Sequence, residues 1–159
     1  MNNLRYKNGS IDEIDRLILR SLVKDARIST AEIARKVALS PPSVAERIKR
    51  LEEAGIITGY TATIDPRAVG LELTAWIRIR PMPGQLRKVA DILNGLDAVV
   101  ECDRITGEDC YLARAHVKSV GELEVLIDEI MPYAMTNTSL VQSSPVARRL
   151  PPVLNVEEN

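Results

Sequence analysis

The sequence predicts an α+β fold in two parts, because the spacing of its apolar residues changes near residue 60. Before that point, apolar residues recur every three or four positions, as on the buried face of a helix. After it, helical segments alternate with runs in which every second residue is apolar, as in a strand with one buried face. The chain has 159 residues, of which 45% are hydrophobic, so it can form two small domains with separate cores.

Two capping boxes predict the starts of the first two helices. Ser10 and Glu13 have the spacing at which two side chains satisfy free backbone amides of a first helical turn. Ser29 and Glu32 repeat that spacing, which starts the second helix near Thr30. The first helix carries an apolar stripe of Ile11, Ile14, Leu17, Ile18 and Leu22.

A third helix is predicted after a short turn. Ser40 can cap it, Pro41 suits its first position, and Gly55 ends it. Two helices joined by such a turn are the outline of a helix-turn-helix DNA-binding unit. The inward positions of the third helix, at spacings of four and three, are Val44, Ile48 and Leu51.

The remaining arc of the third helix carries the candidate DNA contacts. Guanidinium groups can bond guanine edges or phosphates, ammonium groups hold phosphates, and a helix of this length fits the major groove. A charged face that meets only solvent is the alternative interpretation. The predicted DNA-binding residues are Ser40, Pro42, Ser43, Glu46, Arg47, Lys49 and Arg50.

The distribution of charge favours DNA binding by the N-terminal part. Residues 1–60 carry 11 Lys and Arg against 8 Asp and Glu, a net charge of +3. Residues 61–159 carry 10 against 14, a net charge of −4, so the whole chain has −1. Because an excess of +3 is modest, we expect two or more such units to act together on DNA.

The C-terminal part predicts a sheet of four strands with two helices. Its βαββαβ order is that of a ferredoxin-like sandwich. Both helices then cover one face of the sheet and leave the other, with Trp76 among its candidates, for a twofold dimer contact if that face is apolar. The predicted elements are a strand at Thr74–Arg80, a helix ending at Asn94-Gly95, strands at Val99–Ile105 and Cys110–Val117, a helix capped by Ser119, and a strand at Thr138–Gln142.

These patterns predict four segments. Residues 1–60 form a winged helix-turn-helix domain, and the β-branched run Ile56–Ile64 is a wing or an extended linker. Residues 61–72 link the two parts, residues 73–145 form the ferredoxin-like domain, and residues 146–159 are a C-terminal tail.

Five short motifs in the N-terminal part carry a family resemblance. They are DEIDRLIL at Asp12–Leu19, DARIS at Asp25–Ser29, LSP at Leu39–Pro41, ERIKRLE at Glu46–Glu52 and GIITGY at Gly55–Tyr60. In this order they resemble the leucine-responsive regulator (Lrp)/AsnC family of prokaryotic transcription factors. One difference is Ala38, where that family often has glycine in the turn, so alanine is strained if this position needs a positive φ.

The resemblance implies a DNA-binding transcriptional regulator with an oligomerising, ligand-sensing C-terminal domain. It implies a homodimer that assembles further, up to an octamer, and a small effector, commonly an amino acid, bound between dimers near the hairpin. The positions of this chain that match the effector site are Thr106, Gly107, Glu108, Asp109, Cys110, Thr136 and Thr138.

The hairpin residues suit such an effector chemically. Gly107 lets backbone approach a ligand, and Glu108 or Asp109 can meet an ammonium group. Cys110 stands where many relatives have an acid. The alternative is an ordinary hairpin turn with solvated acids.

The sequence offers little for other classes of function. It has no glycine-rich phosphate loop, no nucleophile beside a base, and no metal-ligand spacing among His116, Cys102 and Cys110, so we expect no enzyme, metal or cofactor. No apolar run approaches the ~20 residues of a membrane span and the polar start lacks a secretory segment, which favours the cytoplasm. An architectural DNA-binding protein without an effector is the alternative function, and an enzyme of amino-acid metabolism is a more distant one.

Overall fold

The computed structural model describes residues 11–151 and residue 153 of the chain. These residues separate into two compact units. The first comprises the described residues up to Ala62 together with those from Arg148 onward, and the second is Thr63–Ala147. The described residues after Ala147 therefore belong to the first unit, where Arg20 Nε donates a hydrogen bond to the Val153 carbonyl at 3.2 Å.

Three helices form the first unit and pack around one apolar core, as predicted. Helix α1 is Glu13–Lys24, α2 is Thr30–Val37 and α3 is Pro41–Glu53. Buried residues recur at helical spacing on each helix, which is why the three apolar faces close on one another. The core residues are Ile18, Leu19, Ile33, Ala34, Val37, Val44 and Leu51.

The predicted caps of α2 and α3 are confirmed. Ser29 and Glu32 form the capping box of α2. Ser40 caps α3, and Pro41 stands at its first position, where no intrahelical amide bond is lost. Gly55, just beyond α3, has φ +71°, the left-handed conformation that ends a helix without steric cost in glycine.

The start of α1 differs from the prediction. Ser10 lies outside the described residues, and the N-cap is Asp12, directly before Glu13. The Asp15 amide donates to Asp12 Oδ1 at 2.8 Å, and the Asp12 amide donates to Asp15 Oδ2 at 3.2 Å. Aspartate is as good an N-cap as serine, so Asp12 and Asp15 cap α1 in place of the predicted Ser10 and Glu13.

The turn between α2 and α3 contains a strained alanine. Ala38 has φ 53° and ψ 43°, the left-handed conformation that costs an L-residue about 1–2 kcal/mol. The strain expected from the missing family glycine is therefore present. The turn keeps its geometry because α2 and α3 are both anchored in the core on either side of it.

The segment after α3 forms no wing strand among the residues described. The run Ile56–Ile64 contains no β-strand, and no strand is assigned anywhere in residues 11–72. A strand needs a neighbour for its backbone hydrogen bonds, and this unit provides none. Tyr60 is instead held by Glu52, whose Oε1 accepts its hydroxyl at 2.8 Å. Burial and this hydrogen bond raise the pKa of Tyr60 to about 12.

The second unit has the predicted ferredoxin-like βαββαβ order. Its four strands form one antiparallel sheet in which the second strand lies beside the third, the third beside the first and the first beside the fourth. The first and third strands are therefore central. A short 3₁₀ helix, Arg67–Val69, precedes it. The elements are β1 Leu73–Pro81, α4 Leu86–Gly95, β2 Val99–Arg104, β3 Tyr111–Val117, α5 Val120–Ile130 and β4 Ala134–Leu140.

One face of the sheet carries the core of the second unit. On β1 the alternate residues Ala75, Ile77 and Ile79 are fully buried, as the alternation predicted. They pack with apolar residues of α4 and α5, including Val89 and Ile130. The two helices therefore cover the same face of the sheet.

The last strand begins earlier than we predicted. It is Ala134–Leu140, whereas the sequence pattern favoured Thr138–Gln142. Its half-buried inward positions are Thr136 and Thr138, and their polar side chains hide the alternation of buried and exposed residues.

The opposite face of the sheet is mixed in character rather than apolar. The Arg114 guanidinium lies over the half-buried Trp76 ring, 5.7 Å from its centroid. Thr74 Oγ1 and His116 Nδ1 are 2.9 Å apart, so this histidine is hydrogen-bonded. Burial and the Arg114 charge lower the pKa of His116.

Candidate functional site

Helix α3 presents an exposed polar arc at its N-terminal end. Ser40, Pro42, Ser43 and Glu46 are all exposed. The hydroxyl oxygens of Ser40 and Ser43 are 2.8 Å apart, and Ser40 Oγ also accepts from the Ser43 amide at 3.3 Å. This arc is therefore open to a partner and has hydroxyl groups that can donate to phosphate or to base edges.

Lys49 and Arg50, near the end of α3, form ion pairs at the surface. Arg50 Nε donates to Glu46 Oε1 at 3.0 Å, and Lys49 Nζ lies 3.8 Å from Glu53 Oε1. Both pairs join residues four apart on one helix, and such exposed pairs contribute about 0.3–0.5 kcal/mol. Phosphate can displace these carboxylates at little cost, so Lys49 and Arg50 remain available for DNA.

Arg47 has a different environment from the other predicted DNA contacts. Its Nη1 donates to Asp12 Oδ1 at 3.0 Å, to Asp12 Oδ2 at 2.8 Å and to Asp15 Oδ1 at 2.7 Å. The Arg47 side chain is 17% exposed and that of Asp15 is 0% exposed. The guanidinium thus lies against the start of α1, so we no longer expect it to read a base.

Asp12 and Asp15 are functional candidates that our sequence analysis did not identify. The available signal was the helical position of Arg47, three residues after Val44 and four before Leu51, both of which are fully buried. A cation on the edge of an apolar stripe requires a buried counter-charge. The pair of acids one turn apart in the DEID motif supplies it.

The charges of this cluster stabilise one another. Burial alone would raise the pKa of Asp12, but the hydrogen bonds from Arg47 and Asp15 and the guanidinium charge outweigh it, so that the pKa is lowered. The hydrogen bond to Asp12 is the main cause that raises the pKa of Arg47. All three side chains therefore act as one charge-assisted network.

The hairpin between β2 and β3 is open to solvent and has a glycine at its tip. Gly107 has φ +113°, and a Cβ built there would meet nothing within 4 Å. The Ile105 amide donates to the Cys110 carbonyl at 2.9 Å, and the Cys110 amide donates to the Ile79 carbonyl at 3.0 Å. These bonds fix the base of the hairpin and leave its tip free to meet a ligand.

The acids of the hairpin are paired with one cation of β1. Arg80 Nη2 donates to Glu108, and Arg80 Nε lies 3.6 Å from Asp109 Oδ1. The side chains of Arg80 and Glu108 are 44% and 83% exposed. The hairpin therefore holds both signs of charge at the surface, in a pair that solvent screens.

Thr136 and Thr138 lie inside β4 rather than before it. Thr136 pairs with Ile79, which pairs on its other side with Tyr111 at the base of the hairpin. The sheet thus brings the hairpin and Thr136 to the same end, whereas Thr138 lies further along the strand. The buried Thr138 Oγ1 has no hydrogen-bond partner among the described residues.

The second unit has two cavities away from the hairpin tip. One, of about 430 Å³, is lined in part by Thr74, Arg114 and His116. The other, of about 420 Å³, lies on the α4 side of β2 and reaches Tyr111. Neither is lined by residues 106–110.

Other kinds of site have no support in residues 11–151. No group of three or more His, Cys, Asp and Glu side chains is placed to hold a metal ion there. Cys102 and Cys110 are free thiols. No helix in that range is long and apolar enough to cross a membrane.

Both units match known protein families. Residues 11–58 match the family described as "Winged helix-turn-helix DNA-binding". Residues 74–151 match the family described as "Lrp/AsnC ligand binding domain".

Known regulators are similar to the chain over most of its length. It is 35% identical to the HTH-type transcriptional regulator LrpC of Bacillus subtilis over 133 residues, which is 84% of this chain and 92% of that protein. The LrpC structure matches it with a TM-score of 0.83 over 87% of this chain and 99% of the other. A feast or famine regulatory protein of Mycobacterium tuberculosis, complexed with L-methionine, has a TM-score of 0.83 and 32% identity over 89% and 98% of the two chains.

A transcriptional regulator of Neisseria meningitidis, also in complex with L-methionine, has a TM-score of 0.82 and 28% identity over 89% of this chain and 97% of its own. The relatives are transcriptional regulators rather than enzymes. A helix-turn-helix with an open polar helix is thus joined, in one chain, to a domain of the kind that binds amino acids. The chain belongs to the Lrp/AsnC family of DNA-binding transcriptional regulators.

Proposed function

We propose that this protein binds specific DNA sequences through the exposed arc of α3, and that an amino acid bound at the hairpin between dimers changes that binding. The observation that carries the proposal is the surface cluster of Arg80, Glu108 and the half-buried Asp109 beside Gly107, in a domain whose family binds ligands.

The DNA contact is assigned to the part of α3 that nothing in the first unit covers. Its exposed residues combine hydroxyl groups at the start of the helix with cations in weak pairs. The DNA-binding residues that we propose are Ser40, Pro42, Ser43, Glu46, Lys49 and Arg50.

The effector fits the hairpin as a zwitterion. Arg80 can exchange its carboxylate partners for the α-carboxylate of an amino acid, and Glu108 and Asp109 can then accept its ammonium group. The exchange costs little because the existing pair is exposed. Gly107 lets the ligand approach the backbone. Two related regulators were crystallised with L-methionine, so methionine is the first effector to test.

A single copy of the chain does not enclose this site. The Glu108 side chain is 83% exposed, and the two cavities described above lie elsewhere in the second unit. A pocket that buries most of a small ligand therefore needs a second surface. We assign that surface to a neighbouring dimer, so that effector binding and assembly up to an octamer are linked. Thr136 and Thr138 lie on the strand next to Arg80 and belong to the proposed effector site with residues 106–110.

The dimer itself is assigned to the sheet face opposite the helices. That face is mixed in character rather than apolar, because Arg114 lies over Trp76 on it. It nevertheless carries both signs of charge, since Arg114 pairs in register with Glu101 of β2. A twofold contact can place the acids of one copy against the cations of the other. Two linked helix-turn-helix units then compensate for the modest +3 charge of each.

The proposal is tested by thermal unfolding of the full chain with each protein amino acid in turn. A ligand of the folded state at about 100 times its Kd stabilises by about 2.7 kcal/mol, so the effector will raise the melting temperature. Gly107→Val should abolish the rise in melting temperature, and Asp109→Asn should reduce it. Asp128→Asn is the matched control and should not alter the rise, because Asp128 is an exposed aspartate on α5. If no amino acid stabilises the wild type while it still binds DNA, the architectural function is correct instead.

A further inference from the structure

We propose that Arg47 is a positioning residue for DNA recognition, which fixes the orientation of α3 against the start of α1 without touching DNA. The inference rests on the proposed DNA-binding role of α3. It replaces the expectation that every cation of this helix contacts DNA.

The geometry of the cluster is directional. One nitrogen, Arg47 Nη1, contacts both oxygens of Asp12 and one oxygen of Asp15 at 2.7–3.0 Å. These are charge-assisted bonds, which are stronger and more demanding in geometry than neutral ones. Asp15 is fully buried, whereas the side chains of Arg47 and Asp12 are 17% and 31% exposed, so solvent screens the bond to Asp15 least.

The carboxylates that hold Arg47 also begin α1. Asp12 is the N-cap, and the two acids accept hydrogen bonds from each other's backbone amides. The first turn of α1 is therefore locked and cannot follow a rotation of α3. A change in the rotation of α3 about its axis must break bonds to Asp12 or Asp15.

Apolar packing does not provide the same constraint. Val44 and Leu51 are fully buried, but hydrophobic contacts are non-directional and tolerate small rotations of a helix. A helix in the major groove must present its side chains to base edges within hydrogen-bond distance. The buried cluster thus sets the direction of the exposed arc that carries Ser43, Glu46 and Lys49.

The charge of Asp12 allows positioning and electrostatics to be separated. Replacing this carboxylate by an amide makes the first unit more positive by one charge. If charge alone mattered, Asp12→Asn would strengthen DNA binding by reducing repulsion of phosphate. If the cluster positions α3, the same variant weakens binding to the specific duplex only.

The experiment uses the full chain and a duplex that the wild type selects from a random pool, beside an unselected duplex of equal length. Asp12→Asn should lower affinity for the selected duplex by about tenfold or more, as expected when one base contact is misplaced. Affinity for the unselected duplex should stay the same or rise. Glu13→Gln is the matched control, because Glu13 is the next residue and, among the described residues, its ion pairs are the long ones of 3.9 and 3.7 Å with Arg16 and Arg20.

Arg47→Lys provides a second, independent variant that keeps the charge. Lysine has a shorter, flexible side chain without the planar guanidinium, so its nitrogen should not hold the three bonds of Arg47 Nη1 in the same geometry. The specific affinity should again fall while the dependence of binding on salt keeps its slope. If Arg47 held a phosphate, Lys would retain most of the affinity, and Arg47→Gln would reduce the slope of log K against log salt by about 0.9. Each variant is first shown to be folded at the assay temperature by its thermal transition.

An unchanged preference for the selected duplex in both Asp12→Asn and Arg47→Lys would overturn the positioning role and leave the DNA-binding function intact. A wild-type chain that enriches no duplex would overturn the DNA-binding function and this inference with it.

Discussion

Each unit of the molecule contains one arginine bound to two carboxylates, and the two clusters differ in burial. In the first unit Arg47 is 17% exposed and Asp15 is fully buried. In the second, Arg80 is 44% exposed and Glu108 is 83% exposed. The remaining carboxylates, Asp12 and Asp109, are alike at 31% and 27%, so the difference lies in the arginines and in Asp15 against Glu108. The same residue types therefore form a fixed brace under the recognition helix and an exchangeable pair on the hairpin.

Burial explains why similar bonds have different functions. Breaking a buried pair leaves a charge that water cannot reach, whereas an exposed pair exchanges with solvent ions at little cost. A cluster that must hold a helix in place suits the first environment. A cluster that must release its partners to a ligand suits the second.

The largest effect is expected when Arg47 is removed. Arg47→Ala leaves the buried Asp15 carboxylate without its guanidinium, which should lower the free energy of unfolding of the first unit by about 3 kcal/mol. Hydrogen exchange of the amides in α1 and α3 measures this unit. Trp76, the only tryptophan of the chain, reports the second unit by fluorescence and should show no change. An equal loss in both units would mean that the cluster is not local to the first.

Acid should separate the two units by pH. The pKa of Asp12 is lowered from 3.8, so its contribution is present above about pH 3.8 and is lost as pH falls through the lower folded value. The pKa of His116 is lowered from 6.5, so the second unit begins to lose stability already as pH falls below 6.5. Trp76 fluorescence in denaturant should therefore respond at a higher pH than amide exchange in α1.

The two pH ranges are tested by replacing His116. His116→Gln should abolish the dependence of Trp76 fluorescence between pH 6.5 and the lower folded pKa, and should not affect the acid response of α1. A response of both units in the same pH range, unaffected by that substitution, would contradict the assignment.

The two turns differ in the residue that occupies the left-handed conformation. Ala38 has φ 53°, so Ala38→Gly should raise the free energy of unfolding by about 0.5–1 kcal/mol. Gly107 has φ +113°, so Gly107→Ala should lower it by about 1–2 kcal/mol through backbone strain alone, because a Cβ there meets nothing. Ala54, with φ −82° at the end of α3, is the matched control. Glycine at that position should lower stability, and a gain there would refute the strain argument.

The smallest effect is expected for the hairpin cation. Arg80→Ala removes an exposed pair, which should change the unfolding free energy of the second unit by less than about 1 kcal/mol, and by less still at high salt. Urea unfolding followed by Trp76 fluorescence at low and high salt measures it. A loss as large as that of Arg47→Ala would show that the hairpin cluster is structural.

The sequence predicted those features that depend on local chemistry. The capping box of Ser29, the end of α3 at Gly55 and the alternation in β1 follow from hydrogen bonding and period, and all are present. The family motifs located the recognition helix, and the two alternating runs at Val99–Ile105 and Cys110–Val117 located the hairpin. These features could be identified because each is determined by residues close together in sequence.

Features that depend on distant partners were missed. Arg47 and Asp15 are 32 positions apart, so the spacing within α3 could not show that this cation is buried. The run Ile56–Ile64, predicted to be a wing or an extended linker, forms no strand among the described residues, because it has strand-forming residues but no neighbouring strand. The start of β4 was misplaced because Thr136 and Thr138 are polar residues in half-buried positions.

The central claim is that an exchangeable hairpin cluster controls DNA binding by a fixed recognition helix. The most direct measurement is the affinity for the selected duplex with and without a saturating concentration of the amino acid that stabilises the wild type, in wild type and in Asp109→Asn. The account predicts a change of about fivefold or more in wild type, a smaller change in Asp109→Asn at the same concentration, and equal affinities of the two proteins without the amino acid. An amino acid that saturates the wild type and leaves its DNA affinity unchanged would contradict the account.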